Sequence, residues 1–108
     1  MSLSEKQKAF AAMVPRLIDH AIDLGYAVTL GDAYRDPRVF GVVGEKKGYG
    51  LPTSKHKSRL AIDLNLFKGT TFLQSTEDHR PLGEWWESQG GIWGGRFNDG
   101  NHYEWPLK

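Results

Sequence analysis

The sequence predicts an α+β fold, a small antiparallel sheet with flanking helices. An amphipathic helical pattern over residues 2–24, an alternating apolar strand over residues 60–66, and the order helix, strand, loop, strand, helix, strand point to it. With 108 residues, the chain is expected to form one domain, 1–108, around a single core.

The first helix is expected from Ser2 to Leu24. Phe10, Met13, Val14, Leu17, Ile18, Ala21 and Ile22 recur at helical spacing and form one stripe. Ser2 with Glu5, or Ser4 with Gln7, can form a capping box, and Gly25 is a natural stop. Pro15 costs roughly 3 kcal/mol inside a helix, but the stripe keeps its phase across it, which predicts one kinked helix. Tyr26 to Leu30 reads as a strand that empties into the loop GDAYRDPRVFG, and residues 41–55 read as irregular. Leu60, Ile62, Leu64 and Leu66 then share one face of a long strand, with Ala61, Asp63 and Asn65 on the other. Pro81 suits the first turn of a second helix carrying Leu82, Trp85 and Trp86 as core, ended by Gly90 and Gly91. GIWGGRFNDGNHYEW closes the pattern as a loop or hairpin, with His102 and Glu104 on one strand face and Tyr103 and Trp105 on the other.

Composition narrows the chemistry. There is no cysteine, so disulfides, thiolate metal sites and cysteine nucleophiles are excluded, and any metal must be held by His, Asp or Glu. A net charge of +1 gives no global drive toward nucleic acid or membrane. The first residues lack an apolar core, being interrupted by Glu5, Lys6, Lys8, Arg16 and Asp19, so neither a signal peptide nor membrane insertion is expected. The lysines and arginines at 46, 47, 55, 57 and 59 are expected to form a solvated basic rim.

Asp63 is the anomaly: a carboxylate in the middle of the most strand-like segment. Projected from the sheet's second face, it can meet His56, just upstream, and His102, on the last strand. Two imidazoles and one carboxylate suit zinc and leave a coordination position for water. Two neutral His and one Asp keep the centre near +1, so Lewis acidity survives. Amide hydrolysis also needs a base, for which Asp99 and Glu104 both qualify, although Asp99-Gly100 is equally a hairpin-turn pair. Arg35, in the loop after the first strand, can reach a cleft and meet an oxyanion.

SKHKSRLAID resembles the Ser-x-His-x-x-Gly-x-Ala-x-Asp signature of zinc D-Ala-D-Ala carboxypeptidases and phage L-alanyl-D-glutamate endopeptidases, which share the Hedgehog/DD-peptidase fold. Ser54, His56, Ala61 and Asp63 match it. DGNH at Asp99 to His102 resembles the family's later acid-x-x-His element, and Tyr34–Arg35 the segment carrying its arginine. The resemblance spans Leu17 to Trp105, most closely to small phage-encoded members. It implies that His56, Asp63 and His102 bind Zn2+, that Asp99 is the catalytic base, that Arg35 stabilises the transition state and that Ser54 contacts substrate. The signature's glycine is Arg59 here, a residue that adopts a left-handed backbone only at a cost.

The function so implied is a zinc metallopeptidase of peptidoglycan stem peptides, an endolysin-like L-alanyl-D-glutamate endopeptidase acting as a monomer on the bacterial cell wall after holin release or from a virion. The alternatives are a D-Ala-D-Ala carboxypeptidase and a non-catalytic, zinc-stabilised cell-wall binding module.

Overall fold

The computed structural model describes residues 2–34 and 55–106. Helix α1 spans Leu3–Asp23 as one continuous helix through Pro15, which lies on its exposed face. Ser2 caps it reciprocally: its hydroxyl accepts from the Glu5 N–H at 3.1 Å and donates to Glu5 Oε1 at 3.1 Å. Gln7 takes no part in a cap and instead donates to the Ser58 carbonyl, 2.8 Å away. Phe10, Leu17 and Ala21 are buried, but Ile22 is 56% exposed, against the expected stripe. Each residue turns the helix by about 100°, which carries Ile22 off the arc centred on Leu17 and Ala21. Gly25 then takes a left-handed φ of 95° and turns the chain into the sheet.

Five strands form that sheet: β1 (Ala27–Leu30), β2 (Ala61–Lys68), β3 (Thr71–Leu73), β4 (Ile92–Trp93) and β5 (His102–Glu104). The order is β1-β2-β5-β4, with β3 also on β2 and every pairing antiparallel. Leu66 and Phe67 pair with both β1 and β3, so those strands take opposite edges of β2. The short strands β3 and β4 were not expected from the sequence. The closing segment, expected as a loop or hairpin, is a hairpin in which β4 returns to β5 through residues 94–101, which include a 3-10 turn, Gly94–Phe97.

Helix α2 (Arg80–Ser88) has Pro81 in its first turn. It meets both α1 and β4, and its Trp86 is fully buried against Phe10 and Tyr103 in edge-to-face contacts. Trp85 is only half-buried and stacks on His20 at 4.3 Å. The core also holds Leu60, Ile62, Leu64, Leu66, Leu82 and Trp93. Both helices therefore serve the Ile62–Leu64–Leu66 face of β2, and the opposite face carries the polar Asp63 and Asn65 between Ala61 and Phe67.

Candidate metal centre

The alternation of β2 sets the site. Leu64 and Leu66 are fully buried, whereas Asp63 and Asn65, which alternate with them, are half-buried on the second face. The β2–β5 register places His102 opposite Asp63 and Tyr103 opposite Ile62, so the histidine shares the aspartate's face while the tyrosine joins the core. His56 arrives from a 3-10 turn, Lys55–Ser58, joined to β2 by Leu60 N–H donating to the Lys55 carbonyl at 3.0 Å. On the other edge of β2 the chain after β1 brackets Asp63: its carbonyl accepts from Gly31 N–H at 2.8 Å, and its N–H donates to the Asp32 carbonyl at 2.7 Å.

Three atoms meet. His56 Nε2 lies 3.1 Å from Asp63 Oδ1 and 3.2 Å from His102 Nδ1, and His102 Nδ1 lies 3.4 Å from Asp63 Oδ1. The far side of each ring is anchored. His56 Nδ1–H donates to the Ala33 carbonyl at 2.9 Å, and His102 Nε2–H donates to Glu104 Oε1 at 2.8 Å. A carbonyl or a carboxylate can only accept, so these contacts put the ring protons on the outside and leave lone pairs inside. Glu104 is itself held by Lys55, whose Nζ is 2.6 Å from Oε2.

Converging acceptors favour positive charge. A proton on an inner nitrogen can stand in for an ion: burial pushes the Asp63 carboxyl up, but hydrogen bonds from His102 and His56 in that protonated form outweigh it and bring it down to about 2. For His102, burial pushes the imidazole down, and Asp63 with Glu104 more than reverse this, to about 9.

The loop before β5 delivers Asp99. Its N–H donates to the Gly94 carbonyl at 2.9 Å, and its own carbonyl accepts from His102 N–H at 3.0 Å. Trp93, fully buried, donates from Nε1 to the Gly100 carbonyl at 2.7 Å. A side chain on Gly94 would strike the Asp99 carbonyl and come within 2.7 Å of His102 Cβ; one on Gly100 would come within 2.5 Å of Thr76 Cα. These glycines let the loop lie flat against its neighbours. The Asp99 carboxylate, half-exposed, then stands 3.8 Å from His102 Nδ1, on the side of the three lone pairs.

A family model described as D-alanyl-D-alanine carboxypeptidase matches residues 47–105, more than half of the chain, a span that includes His56, Asp63, Asp99, His102 and Glu104. The chain belongs to that family. No curated protein matches it. The D-alanyl-D-alanine carboxypeptidase family is one of zinc metallopeptidases, and the α+β architecture with its small antiparallel sheet is compatible with its fold.

The donor set fits the family's metal. Bonds of ~2.0–2.1 Å in tetrahedral geometry place ligand atoms about 3.3–3.4 Å apart, which matches the 3.1 to 3.4 Å separations here. His56, Asp63 and His102 can thus hold a divalent ion through Nε2, Oδ1 and Nδ1.

Other expected residues fare differently. Glu104, the rival to Asp99, lies behind the His102 ring with both oxygens engaged, so it cannot reach the side where the lone pairs meet. The solvated basic rim is corrected in part: Lys55 is ion-paired to Glu104, and Lys57 is buried at 7% exposure. Lys46, Lys47, Arg35 and Ser54 lie outside the described residues. Arg59 takes the left-handed φ of 58° that a glycine would occupy freely, with its guanidinium 4.1 Å above the Tyr34 ring. Sequence reasoning missed Lys55, the Ala33 carbonyl and Phe97, an exposed ring 5.7 Å from that of His102. A shared strand face flagged Glu104, but no pattern pairs Lys55 with it across the sequence.

Proposed function

We propose that this protein is a zinc-dependent peptidase of bacterial peptidoglycan that cuts the L-alanyl–D-glutamate bond of the stem peptides. The observation that carries the reading is three inward lone pairs at ligand spacing with a half-exposed carboxylate beside them. An ion bound there supplies a Lewis acid and lowers the pKa of a water to about 7. Asp99 takes a proton from the attacking water as its oxygen bonds to the scissile carbonyl carbon. The same carboxyl group returns the proton to the departing nitrogen as the C–N bond breaks, which regenerates the base. The resemblance assigns the oxyanion to Arg35 and a substrate contact to Ser54. As an endolysin the protein would act as a monomer at the cell wall, reached by holin release or carriage in a virion.

The family's own description favours a second reading, removal of a terminal D-Ala. Mass spectrometry of muropeptides after digestion of purified walls separates the two. New amino-terminal D-glutamate is expected, abolished by a chelator and restored by zinc. Free D-alanine would establish the carboxypeptidase, and digestion that persists without metal would remove the mechanism. Zinc binding with no product would leave a binding module.

A further inference from the structure

A pocket of about 300 Å³ opens beside Asp99, at the small end of the range for ligand sites. Asp99 lines it, and so does Asn65, two residues beyond Asp63 on the same face of β2 and so about 6.6 Å further along the strand. Asn101, next to His102, lines it as well. The pocket therefore begins where the metal centre ends.

We propose that this pocket holds the leaving side of the substrate, and that it takes an uncharged, amide-bearing peptide segment in preference to one carrying a free carboxylate. This rests on the peptidase reading above. The side is set by Asp99: the carboxyl group that protonates the departing nitrogen must lie against it, so the chain attached to that nitrogen enters the pocket lined by Asp99.

The chemistry is set by the walls. Asn65, Gln74, Asn98 and Asn101 bring four carboxamides, each both donor and acceptor, as a peptide group is. Phe72 and Leu73 add apolar surface suited to a small side chain. Among the described residues, no lysine or arginine lines the pocket. His79, the imidazole among these described lining residues, is buried, which pushes its pKa down to about 4 and leaves it neutral near pH 7. A carboxylate entering would lose water and gain no cation from these described walls, whereas a carboxamide exchanges its hydrogen bonds for equivalent ones.

Two synthetic peptides test this, identical except that the residue supplying the scissile nitrogen ends its α-carbon branch in a carboxamide or a carboxylate. With the zinc-loaded protein, kcat/KM is expected to be about tenfold higher for the carboxamide, chiefly through KM, and Gln74→Lys is expected to reverse the preference. Gln74 is exposed, so that substitution leaves the core untouched. Equal rates, a carboxylate preference in the parent, or a preference unmoved by Gln74→Lys would overturn the proposal. If neither peptide is cut, the peptidase reading has failed, and calorimetric titration of the two leaving-side fragments still decides the pocket. About tenfold tighter binding of the carboxamide supports it; equal or undetectable binding overturns it.

Discussion

Glu104 and Asp99 are two acids near one histidine, and their positions give them opposite tasks. Glu104 receives the outer proton of His102 and is braced by Lys55. Partners of this kind fix ring orientation and ligand basicity, and losing one typically costs 10–100-fold in metal affinity. Glu104→Ala is therefore expected to weaken zinc binding by about that factor, measured by competition with a chromophoric chelator. Asp99 touches neither outer proton. Asp99→Ala is expected to leave zinc affinity within about twofold while lowering kcat by roughly 10²–10⁴-fold. A variant pair with the two losses exchanged would reassign both acids. Sequence alone presented these residues as rivals for one role. His102 and Glu104 visibly share a strand face, but only the contacts to the Ala33 carbonyl and to Glu104 show which nitrogen of each ring is turned inward.

The turns between elements carry the centre's geometry. Gly94 and Gly100 have no left-handed φ; their need is space. Gly94→Ala is expected to push the Asp99 carbonyl and His102 apart, destabilise the protein by about 1–3 kcal/mol in urea unfolding, and weaken zinc binding in parallel. Arg59 is the contrasting case. Its left-handed backbone costs about 1–2 kcal/mol, against ~0.5–1 kcal/mol from the Tyr34 ring and a similar sum for glycine's greater unfolded-state freedom. These nearly cancel, so Arg59→Gly is expected to move stability by less than about 1 kcal/mol. Arg59→Val keeps the strain, loses the ring contact and adds a β-branch, so it is expected to be clearly less stable. Legibility follows the same division. Helix α1, β2 and α2 were readable because each repeats its apolar period several times. Strands β3 and β4, three residues and two, complete too little of a period to stand out, and they exist because β2 and β5 offer edges to pair with.

At the level of the whole molecule, the core and the polar face are joined through Tyr103 and His79. Tyr103 is fully buried beside Trp86, and its hydroxyl lies 2.8 Å from His79 Nδ1. Burial pushes the phenol well above its usual range, so it remains protonated and can donate to the imidazole. His79 sits at the entry to α2, so its hydrogen bond ties that helix to β5 from behind the metal loop. Burial brings its pKa down to about 4, below the ~6.5 of an exposed imidazole, so the unfolded chain takes up the proton first. Stability from this group is accordingly complete above pH ~6.5, falls as the pH drops toward 4, and changes no further below that. Urea unfolding at pH 7 and pH 5, with chelator in both so that metal linkage does not contribute, should show the parent losing more stability than His79→Gln over that interval. Glutamine can keep a hydrogen bond to Tyr103 but does not titrate. The difference between the two slopes isolates the imidazole from the carboxylates, which both proteins share. Parallel slopes would mean that His79 takes up its proton without disturbing the Tyr103 contact, and that α2 is held to the sheet by Trp86 and its apolar neighbours alone.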